Sequence, residues 1–142
     1  MPESLTVPCP SCAKWNRIDA SRVSAGPKCG ACGAAIPLDH PLALDDASFD
    51  RVISATTVPV LVDFYADWCG PCKMMAPSVE TLARDAAGTA LVAKLDTEAA
   101  PRTAQRFRIT GIPTVIVFRG GKESARRSGA MPLGALKGMI AG

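Results

Sequence analysis

Six cysteines, arranged as three C-x-x-C pairs, constrain the fold of this 142-residue chain more than any other feature of its sequence. They are Cys9, Cys12, Cys29, Cys32, Cys69 and Cys72. Sixteen residues separate the first pair from the second, which lies within the spacing range of four-cysteine zinc sites. The third pair follows after a further 36 residues, in a different sequence context. A framework of three disulfides is the alternative, but that architecture is typical of secreted chains.

The first four cysteines are candidate ligands of one structural zinc ion per chain. Each pair lies in a tight turn, where Pro10 fixes one φ angle and Gly30 and Gly33 can adopt positive φ, so that backbone N–H groups can turn toward sulfur. Four thiolates fill the tetrahedral shell of Zn²⁺ and leave no position for a catalytic water. Two redox-active pairs or unliganded thiols are the alternative interpretation. His40, the only histidine, is interpreted as a linker residue rather than a further ligand.

The composition predicts a folded, soluble protein. Hydrophobic residues make up 48% of the chain and charged residues 20%, so the low hydrophobicity of disordered sequences is absent. The longest apolar stretch, residues 58–66, is nine residues long and contains Asp63, whereas a membrane span needs roughly 20 residues. The N-terminus has neither the basic nor the apolar region of a secretory signal. We therefore expect a cytoplasmic protein that does not bind membranes.

The charge distribution argues against nucleic acid as a partner. The net charge is +3, and residues 1–40 carry four basic and three acidic side chains. Four thiolates and one Zn²⁺ would bring the charge of this segment near −1. A nucleic-acid-binding module instead needs a clustered excess of lysine and arginine.

Residues 41–142 alternate between helical and strand patterns. A helix that begins after Asp45 or Asp46 is followed by a buried strand at 58–65 and by a helix at 72–87 with Pro77 inside it. The remaining predicted elements are a strand at 89–95, a helix at 99–107, a hairpin of strands at 114–118 and 122–128, and a helix at 132–140. This order predicts an α/β fold in which helices flank a central mixed sheet.

The third cysteine pair lies where the buried strand ends and the next helix begins. Gly70 permits a sharp bend there, and Pro71 is pre-organised for the first helical turn, where its missing N–H costs nothing. Cys69 then lies at the helix N-terminus, where unpaired N–H groups and the helix dipole stabilise a thiolate. Cys72, three residues on, is within disulfide reach and is expected to be more shielded.

The segment around this pair, VDFYADWCGPCK at residues 62–73, resembles the active-site segment of the thioredoxin family almost residue for residue. Residues 111–114, Gly-Ile-Pro-Thr, resemble the family loop whose cis-proline faces the disulfide. The N-terminal cysteine pairs are similar to the zinc ribbon of zinc-containing bacterial members. The resemblance implies a thioredoxin fold at 42–142, preceded by a zinc-ribbon module at 1–35 and a linker at 36–41.

The resemblance also implies roles for two charged residues. Asp63 would be buried, with a pKa raised by desolvation, and would accept the proton of Cys72. A carboxylate at the strand end, turned to solvent, is the alternative. Lys94 resembles the lysine that neighbours this acid, and a plain surface lysine is the alternative.

Six residues are implied to form the substrate-binding face. They are Trp68, Gly70, Pro71, Ile112, Pro113 and Gly129. In cis, Pro113 would leave the Ile112 backbone free to pair with an extended substrate segment, whereas an ordinary trans turn is the alternative. Trp68 is predicted to be an exposed platform rather than a core ring. Gly129 resembles a substrate-groove glycine, although a plain turn glycine is a serious alternative.

The function that the resemblance implies is the reduction of protein disulfides by a Cys69/Cys72 dithiol, through a mixed-disulfide intermediate. Disulfide-containing proteins would be the substrates, and an NADPH-dependent thioredoxin reductase would return electrons to the pair. The chain would act as a monomer. The alternative is a zinc-dependent, redox-regulated binding module or chaperone that uses the pair as a sensor.

Overall fold

In the computed structural model, which describes residues 3–142, the predicted alternation of helices and strands after residue 41 is present. The elements in chain order are β1 (Ser4–Pro8), β2 (Trp15–Asp19), a 3₁₀ helix (Ala20–Ala25), β3 (Leu42–Leu44), α1 (Phe49–Ala55), β4 (Val60–Tyr65), α2 (Gly70–Asp85), β5 (Leu91–Asp96), α3 (Pro101–Arg106), β6 (Thr114–Arg119), β7 (Lys122–Ser128) and α4 (Leu133–Ala141). Among the helices of this described part, none has both the length and the apolarity that crossing a membrane requires.

Five strands form a mixed central sheet in the order β3-β5-β4-β6-β7. Strand β5 runs parallel to both β3 and β4, whereas β6 is antiparallel to β4 and to β7. The hairpin between β6 and β7 turns through Gly120 and Gly121, which both have positive φ as a tight hairpin turn requires. The observed sheet therefore confirms the mixed α/β architecture predicted from the sequence.

Alternate residues of β4 face opposite sides of the sheet. Val60, Val62 and Phe64 belong to one core with α1, whereas Leu61 packs with α2 and α4 in a second core. Because side chains alternate along a strand, Asp63 lies on the same face as Leu61, which is the face that α2 covers. The pleat of β4 thus places one carboxylate beneath the helix that follows the cysteine pair.

The N-terminal segment forms a small hairpin of β1 and β2. The first cysteine pair lies in the turn between these strands, and the second pair lies in a turn after the 3₁₀ helix. The two turns share their backbone pattern: Cys9 N–H donates to Lys14 O at 2.8 Å, and Cys29 N–H donates to Ala34 O at 2.8 Å. In each turn the residue after the second cysteine has positive φ, and these residues are Ala13 (64°) and Gly33 (76°). Positive φ was thus correctly predicted for Gly33, but not for Gly30, which does not adopt it.

One apolar core joins the ribbon to the rest of the chain. Leu5 and Val7 of β1 and the neighbouring Ile36 belong to the same buried cluster as Phe49 and Val52 of α1. Backbone hydrogen bonds reinforce this packing, because Thr57 N–H donates to Ser4 O at 2.9 Å. The boundaries 1–35, 36–41 and 42–142 remain a prediction, since β1 already packs on the second segment.

Candidate redox site and candidate zinc site

Cys69 and Cys72 form a disulfide at the beginning of α2. Cys69 is the N-cap residue, and its Sγ accepts a hydrogen bond from the backbone N–H of Cys72 at 3.2 Å. Pro71 lies in the first turn, as expected for a residue without an N–H. Because the N-cap sulfur receives a helix N–H, a thiolate at Cys69 would be stabilised in the reduced protein.

Burial does not distinguish the two cysteines. Cys69 is 3% exposed and Cys72 is 5% exposed, so the expectation that Cys72 is more shielded than Cys69 is wrong. The asymmetry between them comes from the helix, because only Cys69 occupies the N-cap. Gly70 also has no positive φ, and a Cβ built there would meet no atom within 4 Å, so the bend does not require glycine.

Asp63 is buried beneath α2, where burial raises its pKa to about 7 despite the opposing effect of Lys94. Lys94 is its cross-strand partner on β5. Among the described residues, Asp63 Oδ1 has no hydrogen-bond partner. A cavity of about 190 Å³ is lined by both Asp63 and Cys72. The buried carboxyl group and this cysteine thus border the same small cavity.

Lys94 and the linker residue Pro41 line that cavity and also a larger groove beside the ribbon. The ammonium group of Lys94 lies 5.9 Å from the ring centre of Tyr65. His40, next to Pro41, contacts Glu80 of α2 at 3.1 Å. Lys94 is a cross-strand neighbour of Asp63 and lines the same cavity, and its role in catalysis stays a prediction.

The loop before β6 lies against the disulfide. The Ile112–Pro113 peptide bond is cis, and the carbonyl oxygen of Ile112 lies 3.7 Å from Cys69 Sγ. Gly129, with φ of 94°, donates its N–H to Pro113 O at 2.8 Å. The structure therefore brings together three of the predicted substrate-binding residues at one edge of the cysteine pair.

Trp68 lies on the surface and is 70% exposed, so it is not a core ring. Its indole N–H donates to the carboxylate of Glu98, which orients the ring. Met74 of α2 is similarly exposed. Neither Glu98 nor Met74 could be singled out from the sequence, because an exposed glutamate or methionine is ordinary unless its neighbours in space are known.

The sulfur atoms of Cys9, Cys12, Cys29 and Cys32 all lie within 4.8 Å of one another. A tetrahedron with zinc–sulfur bonds of about 2.3 Å has sulfur–sulfur edges of about 3.8 Å. Two observed edges match this length, namely Cys9 to Cys32 at 3.6 Å and Cys12 to Cys29 at 3.7 Å. Four thiolates at these spacings fit a closed structural zinc site, as the cysteine spacing predicted.

A fifth polar residue, Asn16, contacts this cluster through its side chain, which donates to Cys29 Sγ at 3.5 Å. Asn16 could not be predicted from the sequence, because an asparagine four residues after a cysteine does not by itself indicate a contact with a metal site. The contact joins positions 13 residues apart and depends on how the two turns face each other.

The helix-capping cysteine pair, the buried acid beneath it and the mixed sheet together define a thiol-disulfide oxidoreductase. The chain belongs to the thioredoxin family, because the thioredoxin family model matches residues 40–142. The model of the N-terminal domain of thioredoxin 2 matches residues 8–34, which include all four cysteines of the zinc site. As a thioredoxin, the chain is an enzyme that reduces disulfides.

Curated relatives and a solved structure agree with this assignment. Thioredoxin C-3 of Corynebacterium nephridii is 39% identical over 89% of this chain and 87% of its own length. The thioredoxin of Mycobacterium tuberculosis (strain CDC 1551 / Oshkosh) is 47% identical over 64% of this chain and 78% of its own. The solved structure of a mutant thioredoxin from Halobacterium salinarum NRC-1 is 39% identical and has a TM-score of 0.67, covering 72% of this chain and 89% of that chain.

Proposed function

We propose that Cys69 is the attacking nucleophile, Cys72 the resolving thiol and Asp63 the acceptor of its proton in the reduction of protein disulfides. The observation that carries this proposal is the shared cavity of Asp63 and Cys72 beneath a cysteine pair whose first sulfur caps α2. This arrangement supports a separate task for each of the three groups.

In the first step, the Cys69 thiolate attacks one sulfur of the substrate disulfide. A bond forms between Cys69 and that sulfur, and the other substrate sulfur leaves as a thiolate and takes a proton from solvent. The helix N-terminus lowers the cost of holding Cys69 as the anion before attack. The exposed faces of Trp68, Gly70, Pro71, Ile112 and Gly129 would bind the substrate around the reacting sulfur, with Pro113 packed behind them.

In the second step, Cys72 gives its proton to Asp63 and attacks Cys69 Sγ. The mixed disulfide breaks as the Cys69–Cys72 disulfide forms. The second substrate sulfur leaves as a thiolate and takes a proton from solvent, so two electrons have passed to the substrate. A carboxyl group with a pKa of about 7 is well matched to this task, because it can both take and release a proton at neutral pH. Lys94 would stabilise the ionised carboxylate before the transfer.

Recycling of the disulfide requires an external dithiol, and an NADPH-dependent thioredoxin reductase is the donor that family membership implies. The chain would thus carry electrons between that enzyme and oxidised proteins, as a monomer. We place this activity in the cytoplasm, because four zinc-binding thiolates and a reducing dithiol both need a reducing compartment. Nucleic acid and membranes are not among the proposed partners.

Zinc, held by the four N-terminal cysteines, would supply only structure, because a shell of four thiolates excludes water and substrate.

The proposed function is tested by NADPH-coupled reduction of insulin, with and without thioredoxin reductase and with a Cys69→Ser variant as the blank. We expect many turnovers per chain when the reductase is present. A zinc-dependent binding module that uses the pair as a sensor would instead stop after one equivalent of thiol exchange. That stoichiometric result would overturn the reductase mechanism proposed above.

A further inference from the structure

The side chain of Asn16 on β2 ties the two cysteine turns of the zinc site to each other. Its Nδ2 donates to Lys14 O at 3.0 Å, next to the first turn, and to Cys29 Sγ at 3.5 Å. Its Oδ1 accepts the backbone N–H of Gly30 at 3.0 Å, within the second turn. One amide group therefore makes three hydrogen bonds, two of which reach residues 13 and 14 positions further along the chain.

The neighbouring atoms fix the orientation of this amide. Gly30 N–H can only donate, so the atom that faces it must be the oxygen of the asparagine. Lys14 O can only accept, so the atom that faces it must be the nitrogen. An Nδ2 group has two hydrogens, and Lys14 O and Cys29 Sγ are two acceptors. The site thus uses every donor of the side chain, which an aspartate or a leucine of similar size cannot do.

The hydrogen bond from Asn16 to Cys29 Sγ is an addition to the hydrogen bonds that the two cysteine turns have in common. In both turns the first cysteine accepts a backbone N–H from the residue two positions later: Ser11 to Cys9 at 3.3 Å and Ala31 to Cys29 at 3.4 Å. Among the four sulfurs of the candidate zinc site, all within the described residues, only Cys29 Sγ accepts a further bond from a side-chain amide. The residue equivalent to Asn16 in the second turn is Ile36, which is buried in the apolar core.

We propose that Asn16 is a positioning residue of the zinc site, which holds the second cysteine turn and the sulfur of Cys29 in place for zinc. A hydrogen bond to a metal-bound thiolate is charge-assisted, so the amide adds to the contacts that hold this ligand in place. Groups that orient metal ligands in this way change metal affinity by about 10- to 100-fold when they are removed.

The test is the zinc affinity of the full chain, measured by competition with a chromophoric chelator. Asn16→Asp keeps the acceptor for Gly30 N–H and removes both donations, and Asn16→Leu removes all three hydrogen bonds. We expect each to weaken zinc binding at least about tenfold. The matched control is Ser21→Ala, which removes a hydrogen bond of 2.7 Å to Asp19 elsewhere in the ribbon. A loss below tenfold in Asn16→Asp, or an equal loss in the control, overturns the proposal.

A second measurement needs no variant and so does not depend on the folding of one. In the wild-type chain loaded with ¹¹³Cd²⁺, a hydrogen bond to a metal-bound sulfur transmits scalar coupling between its proton and the metal nucleus. The backbone protons of Ser11 and Ala31 serve as positive controls. We expect the Asn16 side-chain proton to show the same coupling through Cys29. Coupling at Ser11 and Ala31 without coupling at Asn16 contradicts the assignment.

Discussion

Replacing Asp63 by asparagine should stabilise the protein at neutral and alkaline pH, by an amount that depends on pH in a calculable way. Burial raises the pKa of Asp63 from 3.8 to about 7. Between these values the folded chain keeps a proton that the unfolded chain has released. The stability that the protonated carboxyl contributes is therefore fully present below pH 3.8 and is lost as pH rises through about 7.

Each unit of difference between the folded and unfolded pKa of Asp63 corresponds to about 1.36 kcal/mol of unfolding free energy. Between pH 5 and pH 8, wild-type protein should lose about 2.5 kcal/mol of unfolding free energy through Asp63 alone. An asparagine has no charge to desolvate, so the variant avoids this loss. Its unpaired amide costs about 1 kcal/mol at every pH, which leaves the slope unchanged.

The assay is urea denaturation of oxidised wild type and Asp63→Asn, compared at the same pH at several points from pH 5 to pH 8. Comparison at equal pH cancels the acid sensitivity of the zinc site, which both proteins share. Asp67→Asn, an exposed carboxylate on the same cavity, is the matched control and should change stability by less than about 0.5 kcal/mol. If the difference between Asp63→Asn and wild type changes by less than about 1 kcal/mol over this range, the carboxyl group is not desolvated as the structure indicates.

Further variants probe the redox site and the ribbon. Asp63→Asn should slow resolution of the mixed disulfide at least about tenfold more than the first attack, and equal effects in rapid-quench measurements would remove its role as base. Cys72→Ser should accumulate mixed disulfides with substrates and Cys69→Ser should not, as measured by non-reducing electrophoresis. Equal trapping by the two variants would show that the assignment of Cys69 as nucleophile and Cys72 as resolving thiol is wrong. Ala13→Gly should stabilise the ribbon by about 0.5–1 kcal/mol, because φ of 64° suits glycine better, whereas Ala31→Gly should not. Deleting residues 1–40 should leave a folded, active reductase with a lower denaturation midpoint, because β1 no longer covers α1. Non-cooperative unfolding of the shortened chain would show that residues 41–142 cannot fold without the ribbon.

The core elements were predictable because their signals are local. The apolar run at 58–65 and the Gly-Pro that opens α2 predict β4, the helix and the position of the cysteine pair. Asp63 stood out because a lone carboxylate interrupts that run. Strand β3 was not predicted, since its three residues follow a segment with two prolines and its contacts, the pairing with β5 and the burial of Leu42 and Leu44, are with distant parts of the chain. A strand of that length has no periodicity that a sequence can display.

The parts that escaped prediction depend on contacts between distant residues. The hairpin of β1 and β2 was missed because the cysteine spacing dominates that segment, and because its apolar face becomes meaningful only against α1. The positive φ of Ala13 was missed since alanine seldom adopts that conformation. Asn16 and Glu98 act through side chains whose partners lie 13 and 30 residues away, respectively.

The core that β1 shares with α1 has a consequence for protein engineering. A ribbon whose Leu5 and Val7 are buried against Phe49 and Val52 cannot be transplanted onto another thioredoxin by joining the two chains at a flexible linker. The recipient would also need the receiving surface, including the threonine pair at 56 and 57 that hydrogen-bonds to the β1 backbone. Residues 1–35 and α1 thus form one unit of design, and substitutions on either side of that boundary have to be chosen together.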